Sequence, residues 1–237
     1  MAIYLQIVLI LLLILSYNLP SWDTDISVKH IQEGLPVYQW FRIYLLLFRH
    51  TFRQHFAANL IAFIIQTYFM HTFMDNNQFW LFLIFIISPI HSYITGFAWK
   101  YNPLVYCSYG FSVINFAVMG ALLGVLIVQW KNLSKSAKIQ LFIVSILGLC
   151  MGFFQLFGNM GSHTMHFGAY ISGFFLIIGF YKNKFKSMVE IFRLITSILV
   201  MVLHLVFAIL FIIYNPRYKL EMYQCPNGTS QNIQKLQ

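Results

Sequence analysis

The chain has 237 residues, 59% hydrophobic, 19% aromatic and only 9% charged, with a mean hydropathy of +0.72. Soluble domains carry about 25% charged and about 45–50% apolar residues, and fifteen basic plus six acidic side chains cannot cover a water-exposed surface of this size. A soluble enzyme, a disordered tail and a nucleic-acid-binding domain are thereby excluded, and basic residues flanking membrane spans account for the +9 net charge.

A bilayer core of about 30 Å takes roughly 20 mostly apolar helical residues. Seven runs of that kind are predicted, over 2–18, 54–72, 79–98, 110–130, 138–157, 163–181 and 191–214. None alternates in the manner of a membrane β-strand, so the fold class is an all-α membrane protein. The first run has no Lys or Arg before it and no small-x-small site after it, which favours a retained helix over a signal peptide. Residues 19–53 form one long connection with Asp23, Asp25, Glu33, Tyr38, Trp40, Phe41 and Arg42. Interfacial aromatics in so long a loop argue against an idle linker. Cys107, Cys150 and Cys225 are widely spaced and imply no disulfide framework.

Orientation is not decided by charge. Lys131, Lys135, Lys138, Lys182, Lys184, Lys186 and Arg193 follow the fourth and sixth runs and draw that side, with the N-terminus, to the cytoplasm. Lys29, Arg42, Arg49, Arg53, Lys100, Arg217, Lys219 and Lys235 then fall on the other side and nearly cancel the bias.

Polar groups at membrane depth are expensive and are functional candidates by default. No Asp or Glu lies within any run, Glu190 being at an edge, and no H-E-x-x-H occurs. An aspartyl protease pair, the buried acid of proton-coupled carriers and a zinc-protease helix therefore drop out. In the second run, His55 and Asn59 are four apart and share a helical face. Two such donors suit a forming anion, and they equally suit hydrogen bonds to neighbouring helices. The fourth run opens Gly110-Phe111-Ser112 and continues to Ala117 and Gly120, a small-residue face that lets another helix approach closely. The sixth holds His163 and His166, then Gly168, Ala169, Ser172 and Gly173, with His166 and Gly173 on one face. If the two small-residue faces meet, His166 comes within reach of Ser112, as a base activating a serine requires. The rival use of His50, His55, His163 and His166 is a metal site, which leaves Asn59 and Ser112 unexplained.

Together these residues resemble the rhomboid intramembrane serine proteases. The resemblance covers about residues 1–181 and rests on four blocks in order. They are Phe41-Arg42 in the loop; His50, His55 and Asn59 spaced as H-x-x-x-x-H-x-x-x-N; Gly110-x-Ser112 followed by Ala117 and Gly120; and Met165-His166-Phe-Gly168-Ala169 followed by Gly173. It implies a six-helix core over 1–181, a linker and extra C-terminal helix over 182–214, and a polar tail over 215–237. It also implies that Ser112 is the nucleophile and His166 its base, with no third carboxylate. His55 and Asn59, with the Ser112 N–H, would form the oxyanion hole. Phe116 stands where the family often sets an aromatic against the histidine, while His50 and Arg42 would tie the loop to the bundle. Gly110, Gly120 and Gly173 would serve close packing.

The implied partners are transmembrane protein substrates and membrane lipid, with no nucleic acid and no cofactor or metal. The implied location is a membrane with the N-terminus cytoplasmic; abundant Phe, Ile, Asn and Lys, which suit an AT-rich bacterial genome, point to a bacterial plasma membrane. Three residues depart from the family pattern: Val113 and Ala169 replace glycines, and Met165 a smaller residue. Ser112, His166, His55 and Asn59 all survive, so an active endopeptidase is expected. The alternatives are a catalytically inactive relative that binds transmembrane helices, which Val113 favours, and, more distantly, a histidine-based metal transporter.

Overall fold

The computed structural model describes residues 4–18, 44, 47–48, 53–99, 110–156, 163–182, 184 and 186–214. Seven helices and no strand occur among them: α1 (Tyr4–Asn18), α2 (Arg53–Phe73), α3 (Asn77–Trp99), α4 (Ser112–Val128), α5 (Lys135–Leu156), α6 (His163–Phe180) and α7 (Met188–Tyr214). Each coincides with a predicted run to within a few residues. By length and hydropathy alone, two described stretches meet the requirement for crossing a bilayer, Arg53–Phe73 and Met188–Val206.

The burial pattern is inverted relative to a soluble bundle. Ile61, Ile64, Ile65, Leu147, Leu199 and Leu203 are exposed, whereas Ser88, Ser92, Asn115, Ser145, Ser172 and Gln66 are buried. A contiguous apolar exterior of this extent marks a surface that meets something other than water.

At the centre stands α4, buried along nearly its whole length and packed against α2, α3, α5 and most extensively α6. The α4–α6 contact is made by backbone. A Cβ at Gly120 would run into the carbonyl of Tyr170, and one at Gly173 into the carbonyl of Ala117. Further along, a Cβ at Gly124 would lie 2.8 Å from that of Ile177. The small-residue faces read from the sequence thus do meet, with α4 and α6 running in the same direction.

Polar groups fasten the far end of this pair. Gln129 Nε2 donates to Phe73 O (2.8 Å) and Tyr181 Oη (3.0 Å), and Lys182 Nζ donates to Gln129 Oε1 (3.1 Å). The Asp75 N–H donates to Tyr181 Oη, and Lys182 pairs with the Asp75 carboxylate at 3.0 Å. The start of α1 sits at this same end, its Leu5 N–H donating to Gln78 Oε1. Helix α1 is part of the bundle, with Leu9 and Leu13 buried in the core and the Gln6 amide donating to the Thr67 hydroxyl.

Helix α7 packs on α3 and α6. Arg193 donates to the carbonyls of Ile178 and Tyr181 at the end of α6, and the rings of His91 and His204 lie 4.6 Å apart between α3 and α7. Part of the long connection docks as well: Tyr44 Oη donates to Ile86 O (2.7 Å), Leu47 is fully buried, and Phe48 packs against Phe85 and Phe111.

Candidate functional site

The site is built at the start of α4. Gly110 has φ 126°, a backbone conformation that a side chain would strain, and Phe111 caps the helix with its own carbonyl, which accepts from Ile114 and Asn115. Phe111 is fully buried, edge-on to Phe63 at 4.8 Å. This anchors the turn and presents Ser112 as the first helical residue. First-turn N–H groups have no intrahelical acceptor, so the amides of Ser112 and Val113 belong to the positive end of the helix.

Ser112 Oγ lies 2.8 Å from His166 Nε2. Both residues are buried, at 9% and 6% exposure. Phe116, one turn beyond Ser112, stacks on the His166 imidazole with ring centroids 4.4 Å apart and planes 9° from parallel. Ser92 Oγ donates to the Met165 carbonyl at 2.6 Å, next to His166 in the chain. If the serine donates, Nε2 accepts and the imidazole proton resides on Nδ1. A hydroxyl so placed can lose its proton to the ring as it attacks an electrophile.

Asn59 is buried against α4. Asn115 Nδ2 donates to its backbone carbonyl (3.0 Å) and to its side-chain Oδ1 (3.2 Å). His55, one turn earlier on α2, is exposed, so the shared face expected of the pair is divided between core and surface. His50 and Arg42 lie outside the described residues, and so does the tying role expected of them. Of the other residues singled out, Val113 is 2% exposed, Met165 3% and Ala169 0%; Gly168 is also buried. Among the described residues no group of three or more His, Cys, Asp or Glu side chains is placed to hold a metal ion.

Asn115 was not anticipated. It sits in an otherwise apolar run, and the one available signal was a carboxamide three residues after the serine in a helix that has no other polar side chain as far as Val128.

A family model, the Rhomboid domain, matches residues 37–183. The chain belongs to the rhomboid family. The matched segment contains Asn59, Ser112, Asn115, Phe116 and His166. Helix α7 begins beyond it. Family membership makes the protein an integral membrane protein and explains its apolar exterior. Rhomboids act on transmembrane protein substrates; most are intramembrane serine proteases, and some members are inactive. Comparisons with curated proteins and with solved structures returned no match.

Proposed function

We propose that this rhomboid is an active intramembrane serine endopeptidase that cleaves transmembrane segments with Ser112 as nucleophile and His166 as general base. The observation that carries this reading is the 2.8 Å approach of Ser112 Oγ to His166 Nε2 across a helix contact too tight to drift. Residues 1–181 form the catalytic core, 182–214 the linker and appended helix, and 215–237 a polar tail.

A substrate helix hides its scissile carbonyl in its own hydrogen bonds and must unwind locally. The Ser112 oxygen then bonds to the carbonyl carbon while its proton passes to His166 Nε2. The carbonyl π electrons move to oxygen, and that oxyanion is held by the Ser112 N–H, the Asn59 amide and His55, each such donor contributing about 3 kcal/mol. Collapse breaks the C–N bond, with the proton on His166 going to the leaving amine. Water, deprotonated by His166, releases the acyl group and regenerates the serine. The stack with Phe116 keeps the imidazole plane fixed through both proton transfers.

Helix α4 has 17 residues, about 26 Å, against about 30 Å of hydrocarbon. With Gln129 and Lys131 at one polar boundary, Ser112 lies a few ångströms beneath the other. The N-terminus shares the end of the bundle that carries Lys131, Lys135, Lys182, Lys184 and Lys186, which supports a cytoplasmic N-terminus and a site opening outward.

The second reading, a helix-binding relative without turnover, is favoured by Val113, whose buried side chain follows the serine directly. The deciding assay incubates detergent-solubilised protein with a single-span substrate carrying Gly and Ala in its helix. Cleavage by the native chain, lost in Ser112→Ala and in His166→Ala, is expected. Capture of the substrate without fragments that persists in Val113→Gly supports the second reading instead, whereas new cleavage in Val113→Gly marks a crowded protease site.

A further inference from the structure

A carboxamide in the apolar interior of α4 calls for a reason. Asn115 is 3% exposed, and its Oδ1 is buried with no hydrogen-bond partner among the described residues. Leaving a buried oxygen without a donor is unfavourable, and a valine fills nearly the same space without that cost. What the residue gains lies on its nitrogen.

Asn115 Nδ2 faces two atoms of Asn59, the backbone carbonyl at 3.0 Å and the side-chain oxygen at 3.2 Å. A backbone carbonyl only accepts, so the Asn115 atom facing it must be the NH2 group. The same NH2 confronts the Asn59 carboxamide. It attracts that group's oxygen and repels its nitrogen. The Asn59 amide is therefore held in one of its two flip states, with Oδ1 engaged by Asn115 and Nδ2 left as the end that can donate. An oxyanion needs a donor. The opposite flip would offer it a carbonyl oxygen, which repels.

We infer that Asn115 is a positioning residue that locks the Asn59 side chain with its N–H end directed to the oxyanion, an inference that rests on the proposed protease reading. Asn115 touches neither substrate nor reacting atoms; it acts wholly through Asn59. Replacing it with valine frees the Asn59 amide to populate both flips; it removes one buried oxygen without a donor and takes this donor from Asn59 Oδ1, so the two effects on stability largely offset. Turnover then falls with little change in stability, a combination that a purely structural role does not produce.

The test is a double-mutant cycle on the full chain with the single-span reporter described above. Asn59→Ala is expected to lower kcat about a hundredfold, and Asn115→Val about tenfold or more. KM should change less than about twofold in each, since the oxyanion exists only in the transition state. The double variant should be no slower than Asn59→Ala alone, and the thermal midpoint of Asn115→Val should change little. Asn115→Ala, judged by the same criteria, serves if the valine variant does not fold.

Full kcat in Asn115→Val, or losses that multiply in the double variant, overturns the positioning role. Cleavage that Ser112→Ala abolishes and Asn59→Ala slows, but Asn115→Val leaves intact, removes this inference and spares the protease reading. Cleavage surviving Ser112→Ala, or no cleavage by folded native protein, overturns both.

Discussion

Gly173→Ala is the most economical way to test whether the helix contact governs the chemistry. The new Cβ would fall on the carbonyl of Ala117, with Ala117 Cα only 3.0 Å away. Carbon atoms settle at about 3.5–4.0 Å, and both neighbours are backbone, so α4 and α6 must part by about 1 Å. Overpacking of this kind costs about 1–3 kcal/mol. Alanine's better helix propensity returns up to about 1 kcal/mol, so the net loss in stability is modest. The site has no such compensation. An extra 1 Å takes Ser112 Oγ and His166 Nε2, now 2.8 Å apart, out of hydrogen-bond range, and displacements of that size cost about a hundredfold in rate. Gly148→Ala is the control. Its Cβ would meet the Met119 side chain, whose thioether can swing aside but whose Cβ, 2.8 Å away, cannot, so α5 shifts against α4 while the α4–α6 contact is untouched, and activity should stay within about threefold. Turnover and thermal midpoint, measured on both variants, separate the two cases. Native turnover in a folded Gly173→Ala variant would refute the claim that this contact sets the serine–histidine distance.

Phe116→Leu removes a ring stacked at 4.4 Å on His166; such contacts contribute about 0.5–1.5 kcal/mol, so kcat should fall about two- to tenfold while Phe116→Tyr stays near native. Equal kcat in all three would deny the ring any part in holding the imidazole. Gln129→Leu takes away a buried group bonded to Phe73, Tyr181 and Lys182 and should cost about 1–3 kcal/mol of stability, with turnover per folded molecule unchanged because Ser112 lies at the other end of α4. Asp75→Asn breaks an ion pair whose side chains are 40% and 76% exposed, so its cost should stay below about 1 kcal/mol. The hydrogen bond to Asp75 holds the Lys182 ammonium above the ordinary lysine range. That pair's small contribution is therefore complete below the ordinary lysine value and fades only as pH rises through the raised one. Denaturation midpoints at neutral and alkaline pH check both statements.

The helices were legible because a bilayer imposes a length and an apolar composition that a linear scan can read. The meeting of Ser112 and His166 was legible too, since Ala117, Gly120 and Gly173 mark where two backbones approach and the two polar residues lie one to two turns above them. The burial of Asn59 against the exposure of His55 was not. Four residues' spacing fixes a face but not how deep along the helix the neighbour begins, and His55 is only the third residue of α2. Asn115 was overlooked because its meaning depends on a carbonyl 56 positions away. The clamp of Gln129, Tyr181, Lys182 and Asp75 escaped for the same reason. Its members sit at helix ends, where polar residues look like ordinary boundary markers until the ends are brought together.

A mechanism-based probe tests the central claim most directly. The folded, detergent-solubilised chain would be treated with a fluorophosphonate, and the adduct located by mass spectrometry of its peptides. The account predicts a single covalent adduct on Ser112, absent in Ser112→Ala and lost in His166→Ala, because the hydroxyl reacts only when the imidazole takes its proton. No adduct on folded native protein, or labelling of Ser112 that persists without His166, would contradict it.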